Sequence, residues 1–240
     1  MTENDLDFDF YIWGMQLKDY FAKYLNYEFY LPLIYKKNNT TCGVSQMIHN
    51  QKVAWLGLIF VHEEFRNHGL GSLMTQKLID IGLESNVQTF LLFATEMGES
   101  IYQKLGFEYE ELYVYAKPPE HFPDFICPEV KPFTPDRTAD LFSLDQQITG
   151  EDRSKYLSLY LHNAIICQSY GQIVGYYLPS LGTGIINAIS EDAAIQLMQY
   201  KINQHQPYFI FPQSNHLAYD FLKSLDYNFD SKIPRMYYGK

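Results

Sequence analysis

The chain has 240 residues, of which 47% are hydrophobic and 17% aromatic, and its formal net charge is −10. This content supplies apolar side chains for one large core or two small ones. The negative charge argues against a nucleic-acid binder, which needs a clustered basic face. No stretch approaches the ~18 apolar residues of a membrane helix, and the acidic residues 1–9 do not resemble a signal peptide. We therefore expect a cytoplasmic protein with no membrane partner.

The three cysteines, Cys42, Cys127 and Cys167, lie far apart in the sequence and form no C-x-x-C pair. This spacing predicts neither a disulfide framework nor a zinc site. We expect no bound metal.

The first predicted elements come from residue periodicity. Residues 5–10 alternate acidic and apolar side chains, which predicts a strand with one buried face. Residues 15–25 read as one helix after Gly14, and residues 29–35 and 42–49 read as strands.

A buried strand and an amphipathic helix follow. Residues 53–61 form a continuous apolar run, typical of a central strand covered on both faces, and Gly57 within it suggests a bulge or a close backbone approach. Apolar residues then recur at helical spacing over residues 70–81. A strand at 89–93, a helix at 98–105 and a strand at 107–116 are predicted to close the first unit.

A proline-rich segment separates the two halves of the chain. We predict a first domain at residues 1–118, a linker at 119–135 and a second domain at 136–240. The second half is predicted to contain helices at 138–146, 151–162, 191–203 and 215–225, and strands at 164–168, 172–178, 184–189, 208–211 and 227–238.

The segment between the buried strand and the amphipathic helix contains the clearest binding signal. Glycines let the backbone approach a ligand and turn its N–H groups outward, and the following helix N-terminus adds a partial positive charge. Arg66, Gly69 and Gly71 form the pattern R-x-x-G-x-G, which matches neither a P-loop nor a dinucleotide fingerprint. The pattern predicts a site for a phosphate or pyrophosphate.

The surroundings of this loop resemble the GNAT superfamily of N-acetyltransferases. The run W-L-G-L-I-F-V at residues 55–61 lies before the loop, and I-Y-Q-K-L-G-F at residues 101–107 follows the next strand. The resemblance covers residues ~30–116 with spacing typical of the family. It implies an α/β (α+β) chain, in which a GNAT fold with a mixed central sheet precedes a smaller, degenerate GNAT-like C-terminal domain.

The same resemblance implies the acetyl donor and the residues that bind it. Acetyl-CoA would be the donor, and a primary amine on a small molecule, amino acid or peptide would be the acceptor. Tyr102 would face the thioester sulfur and protonate the departing thiolate. The residues expected to bind CoA are Ile59, Phe60 and Val61 along the pantetheine and Arg66, Asn67, His68, Gly69, Leu70, Gly71 and Ser72 around the pyrophosphate.

The general base is harder to assign. Related proteins carry an aspartate in an L-D-A-T strand end, where this chain has Phe93 in L-F-A-T. Glu96, just beyond the strand, is a candidate base, and a solvated loop glutamate is the alternative reading.

The second half resembles the C-terminal domain of one bacterial GNAT subgroup, at Leu144-Asp145, at residues 150–154 and at Arg235-Met236. Asp152 and Arg153 predict a helix cap and a surface ion pair. This half lacks a glycine loop, so we expect it to bind no CoA of its own.

The family usually has two helices before its second strand, where this chain has room for one. The second half, or a second copy of the chain in a homodimer, could complete the acceptor pocket.

Two other functions stay open at this point. A non-catalytic CoA-binding regulator would keep Arg66, Gly69 and Gly71 without needing Tyr102. A scaffold that uses the two α/β halves for protein binding would have no CoA affinity.

Overall fold

The computed structural model describes residues 5–240, so the first four residues of the acidic N-terminus lie outside it. The chain forms two compact units, the first ending at Glu110 and regaining Pro234–Lys240, the second comprising Glu111–Ile233. The predicted domain limits of 1–118, 119–135 and 136–240 are not tested by this division and stay a prediction. In the part of the chain that the structure describes, no helix combines the length and apolarity that crossing a bilayer requires.

The elements up to the middle of the chain are β1 (Tyr11–Ile12), β2 (Met15–Gln16), α1 (Leu17–Tyr24), β3 (Tyr30–Lys37), β4 (Thr40–Asn50), β5 (Val53–Val61), α2 (Leu70–Glu84), β6 (Thr89–Phe93), α3 (Glu96–Lys104) and β7 (Glu108–Lys117). They are followed by β8 (Val130–Pro132), α4 (Thr138–Thr149), α5 (Ser154–Leu157), β9 (Ile165–Ser169), β10 (Gln172–Leu178), β11 (Ile185–Ala188), α6 (Glu191–Asn203), β12 (Phe209–Pro212), α7 (His216–Ser224) and β13 (Asn228–Gly239).

The N-terminal segment differs from its prediction. Residues 6–10 form no strand, yet Leu6, Phe8 and Phe10 are buried, at 7%, 5% and 7% exposure. The alternation of acidic and apolar residues therefore reports which side chains face the core, because any extended segment lying on a surface shows the same period. The first strands are β1 and β2, which pair with each other around Trp13 and Gly14.

Unit 1 is built on a mixed sheet. β3, β4 and β5 pair antiparallel in that order, β5 pairs parallel with β6, and β6 pairs antiparallel with the last residues of β13. The helix α2 packs against β4 and β5. Leu78 and Ile79 of α2 join Leu56, Phe90 and Met236 of the sheet in one buried cluster.

The last strands of the two halves take partners that the sequence did not predict. Residues 113–116 of β7 pair with β12 inside unit 2, and residues 235–239 of β13 pair with β6 inside unit 1. The strand predicted at 107–116 is present as β7, and its pairing with β12 was not predicted. Strand partners far apart in sequence are chosen by tertiary packing, which local periodicity does not report.

Unit 2 contains a four-stranded antiparallel sheet in the order β11-β10-β9-β8, and α6 packs on β10 and β11. The proline-rich segment is tied to this unit. The backbone N–H of Phe125 donates to the Asn203 side chain at 3.1 Å, and the Asn203 amide donates back to the Phe125 carbonyl at 2.8 Å. Phe122 and Phe125 also pack against its core.

Arg153 makes a buried ion pair rather than the surface pair expected from sequence. Its Nε donates to Asp145 at 3.1 Å and its Nη2 at 2.5 Å, and the two side chains are 14% and 2% exposed. The Tyr176 hydroxyl also donates to Asp145. Asp152 instead accepts from the backbone N–H of Ser154 at 3.2 Å. Asp152 thus accepts a hydrogen bond at the start of α5, whose N-cap residue is Arg153 without a side-chain cap, and the partner of Arg153 was not predicted.

Candidate active site

β5 carries a bulge near its middle. Phe60 pairs with Val44 and Gly57 pairs with Gln46, so that two residues of β5, Leu58 and Ile59, lie opposite one residue of β4. Leu58 has a φ of 47°, a left-handed conformation that is uncommon for a residue with a branched side chain. A bulge of this kind bends a strand and increases its local twist.

β5 and β6 pair along only part of their lengths. Within the described residues, their parallel register covers Val53 to Trp55 on β5 and ends at Leu91 on β6. β5 continues to Val61 beside β4, and its residues Ile59, Phe60 and Val61 are half-buried. The hydrogen-bonding groups on that edge of β5 are therefore not used by β6, which suits an extended ligand with amide groups.

The loop after β5 is exposed, and two of its side chains contact main-chain carbonyl groups. A 3-10 helix covers Glu63–Phe65, and Asn67 and Gly69 have φ angles of 64° and 78°. The Arg66 Nε donates to the Val61 carbonyl at 3.1 Å, and the His68 Nδ1 lies 2.6 Å from the Arg66 carbonyl. One N–H of the Arg66 guanidinium therefore connects the loop to the end of β5.

The first turn of α2 is open to an anion. Gly69 is the N-cap residue, no side chain caps the helix, and its first turn contains no acid. Among the described residues, apart from the two chain neighbours of Gly69, no atom lies within 4 Å of the place where its Cβ would stand. The N–H groups of Leu70, Gly71 and Ser72, at the positive end of the helix dipole, can therefore meet a phosphate without a competing side chain.

Tyr102 lies on α3 and is 9% exposed. Its ring packs against Gly98, where a Cβ would stand 2.7 Å from the ring, and its centroid lies 5.9 Å from that of Phe107. Burial raises the pKa of Tyr102 to about 12. The hydroxyl therefore keeps its proton well above neutral pH. This protonation state is expected both of a proton donor and of a tyrosine that only packs in the core.

Glu96 is the first residue of α3 and is exposed. It precedes Tyr102 by six positions, so the two side chains leave the helix about 120° apart. The two predicted catalytic side chains therefore leave α3 in different directions. Phe93, at the end of β6, is 39% exposed, and its ring centroid lies 5.7 Å from that of Trp55.

The cysteines and other potential metal ligands are dispersed. Cys42 and Cys167 are buried and Cys127 is half-buried, all as free thiols. Across residues 5–240, no three His, Cys, Asp or Glu side chains gather closely enough to hold a metal ion.

Sequence reasoning missed the pairing of Trp55 with Phe93 and the surface around it. The sequence signal that could have shown it is the alternation of side chains between the two faces of a strand. Ala54, Leu56, Phe90 and Leu92 belong to the core on the α2 side, so Trp55 and Phe93 face the other way.

Comparison with known proteins agrees with this geometry. Residues 1–107 match the Acetyltransferase (GNAT) family, whose members transfer acetyl groups from acetyl-CoA. No curated protein matches the sequence of the chain.

The fold resembles several solved structures along most of the chain. A candidate acetyltransferase from Pyrococcus horikoshii has a TM-score of 0.81 at 20% identity, over 100% of this chain and 88% of that one. A GCN5-related N-acetyltransferase from Anabaena variabilis has a TM-score of 0.64 at 14% identity, over 98% and 68%. A tandem GNAT protein from the clavulanic acid biosynthesis pathway has a TM-score of 0.58 at 10% identity, over 88% and 84%. Residues 1–107 therefore belong to the GNAT acetyltransferase family, and the fold of the chain as a whole resembles that of a tandem GNAT protein.

Proposed function

We propose that this protein is an acetyl-CoA-dependent N-acetyltransferase that acts on a primary amine by direct attack, with one CoA site per chain, in unit 1. The observation that carries the proposal is the uncapped first turn of α2, which follows the Gly69 loop. The neighbouring strand β5 has an edge that does not pair with β6 beyond Trp55. Together these supply donors for a pyrophosphate and a strand edge for the amides of pantetheine.

The chain's own groups divide the work of binding. Main-chain N–H groups from Asn67 to Ser72 hold the pyrophosphate, and Arg66 adds positive charge while its Nε holds the Val61 carbonyl. The main chain of Ile59, Phe60 and Val61 aligns the pantetheine arm. His68, which contacts the Arg66 carbonyl, shapes the loop.

Acetyl-CoA supplies the thioester: the amine nitrogen forms a bond to the acetyl carbon, the carbon–sulfur bond breaks, and the thiolate leaves. Tyr102 donates its hydroxyl proton toward that sulfur. Its pKa of about 12 lies above the ~8.5 of a solvated thiol, so complete transfer to a solvated thiolate is uphill. A dry site raises the thiol's pKa as well, because burial disfavours the thiolate, and this narrows the difference.

Glu96 is the candidate for removing the amine proton, through water, because it is exposed and stands at the start of α3. Since its side chain diverges from that of Tyr102, the two groups act on different sides of the reacting centre. This arrangement suits an attack in which the amine loses its proton away from the leaving sulfur.

Calorimetry with CoA and acetyl-CoA, followed by a CoA-release assay against a panel of primary amines, tests the proposal. We expect saturation at one CoA per chain and turnover with at least one amine. A stoichiometry of two would contradict the assignment of the single site to unit 1. Binding without turnover across the panel would instead support the regulatory alternative, which needs the loop and not Tyr102.

A further inference from the structure

The sheet of unit 1 has one face that α2 does not cover. We call it the α1 face and define it by the side chains of Tyr30, Ile48, Trp55, Leu91 and Phe93. Ile48 pairs with Trp55 and Trp55 with Leu91, so these side chains project to the same side. The helix α1 covers the β3 part of this face: the Phe21 ring lies 6.1 Å from that of Tyr30.

The other part of the α1 face is open and aromatic. Phe93 is 39% exposed, and its ring pairs with the half-buried Trp55 at 5.7 Å between centroids. Gly57, two residues after Trp55, projects no side chain over the same surface. Trp55 and Leu91 are also where β5 and β6 stop pairing. A thioester that passes between the two strands from the α2 side would therefore emerge beside Trp55 and Phe93.

A polar pair borders this surface. Gln46 pairs with Gly57 across the strands and is 6% exposed, and its side chain lies near the Tyr20 hydroxyl of α1. In the residues that the structure describes, the Gln46 Oε1 has no hydrogen-bond partner. A buried amide oxygen without a partner costs stability, which a ligand N–H that donates to it would recover.

The charges around the surface favour a cation and disfavour a carboxylate. The nearby cation is Arg235, which pairs with Phe93 across the strands. Its Nε and Nη2 donate to the two carboxylate oxygens of Glu110 at 2.5 and 2.8 Å. Glu96 and Glu99 lie in the first turn of α3, directly after β6. An ammonium group finds opposite charge here, whereas a carboxylate would have to compete with Glu110.

Building on the proposed function, we propose that the acceptor is a primary amine on a short aromatic body without a carboxylate, and that Phe93 and Trp55 bind its ring. An aromatic ring that packs against other rings gains binding energy beyond that of its buried area. The amine then extends past Gly57 toward the opening between β5 and β6.

A fluorescence titration tests this without turnover. The chain has two tryptophans, so the Trp13→Phe variant leaves Trp55 as its single reporter. The probes are phenethylamine, cyclohexylethylamine, which has the same charge and size without aromaticity, and L-phenylalanine, which adds a carboxylate. Each is titrated with and without CoA. We expect phenethylamine to quench Trp55 and each of the other probes to bind about tenfold more weakly.

In the same background, Phe93→Ser should weaken phenethylamine binding about tenfold, since it removes the exposed ring. Leu83→Ser is the matched control, because Leu83 is an exposed apolar side chain of α2, at 50% exposure, away from the α1 face. No quenching by phenethylamine, equal binding of L-phenylalanine or cyclohexylethylamine, or an unaffected Phe93→Ser variant would overturn the inference. Phenethylamine binding without acetylation of any amine would overturn the proposed transferase and the acceptor role of the amine, whereas the binding of its ring by Phe93 and Trp55 would stand.

Discussion

Both units contain a strand followed by a helix, and the two helices differ in how their N-termini are capped. In unit 1, α2 begins at Gly69 with no side-chain cap and no acid in its first turn. In unit 2, α6 begins at Ser190, whose hydroxyl accepts from the Ala193 N–H at 3.3 Å, and Glu191 and Asp192 follow. One helix leaves its first donors for a ligand, and the other satisfies and neutralises them itself.

The next helix of each unit repeats the contrast. α3 of unit 1 presents Tyr102, which has a proton to donate. When I-Y-Q-K-L-G-F at residues 101–107 is aligned with F-L-K-S-L-D-Y at residues 221–227, α7 of unit 2 has the fully buried Leu222 at the corresponding position. Unit 2 instead has the buried pair of Asp145 and Arg153. Polar side chains in unit 2 therefore hold its fold, whereas unit 1 leaves donors exposed at a potential ligand site.

The largest effect should come from the proposed proton donor. Tyr102→Phe removes one hydroxyl and keeps the ring against Gly98 and Phe107, so we expect turnover to fall about 10²–10⁴-fold with acetyl-CoA affinity unchanged. Tyr227→Phe in unit 2 is the matched control, because Tyr227 is also buried and its hydroxyl has no hydrogen-bond partner within residues 5–240. Steady-state kinetics and calorimetry measure both variants. Equal turnover by Tyr102→Phe would remove Tyr102 from the mechanism.

A change in the buried ion pair of unit 2 should lower the stability by a free energy of similar size. Asp145→Ala leaves the Arg153 guanidinium buried without its counter-ion, which should lower the free energy of unfolding by about 3–5 kcal/mol. Asp140→Ala breaks the surface pair with Arg137, whose side chains are 53% and 22% exposed, and should cost less than about 1 kcal/mol. Urea unfolding checks both variants. A small loss in Asp145→Ala would show that unit 2 does not depend on this pair.

Gly69→Asp places a carboxylate at the open N-terminus of α2 and should weaken CoA binding about 100-fold by charge repulsion. Gly150→Asp is the control in unit 2, because Gly150 also has a left-handed φ, 74° against 78°, and open space at its Cβ position. Both variants should therefore lose similar stability, and calorimetry should find the affinity changed in Gly69→Asp alone. An unchanged CoA affinity in Gly69→Asp would mean that the loop is misassigned.

The smallest effect concerns the cap of α6. Ser190→Ala removes the acceptor for the Ala193 N–H and should cost about 1 kcal/mol of stability. Thr95 occupies the same position at α3 without a side-chain cap, so Thr95→Ala should cost little. Denaturant unfolding compares the two. Ser190→Ala should still bind a single CoA per chain, since Glu191 and Asp192 remain, and a second CoA would show that the cap alone closes this helix end.

The candidate site was predictable from sequence where its signal is local. The glycine loop and the helix after it were recognisable because a ligand-binding backbone needs particular residue types at fixed spacing. The open surface at Phe93 was not recognisable. Its exposure depends on how far α1 reaches over the sheet and where β5 separates from β6, and both are set by packing between distant residues.

The sequence by itself determined the elements whose signal lies within a few turns. The helix predicted at 191–203 is α6, with the same limits, because a capping serine and helical periodicity are local properties. Only the tertiary structure decided that β7 pairs with β12 and that β13 returns to β6. It also decided that Arg153 reaches Asp145 and that Arg235 meets Glu110, 125 positions away. These contacts depend on which distant surfaces bury each other, and the local pattern of apolar residues contains no record of that choice.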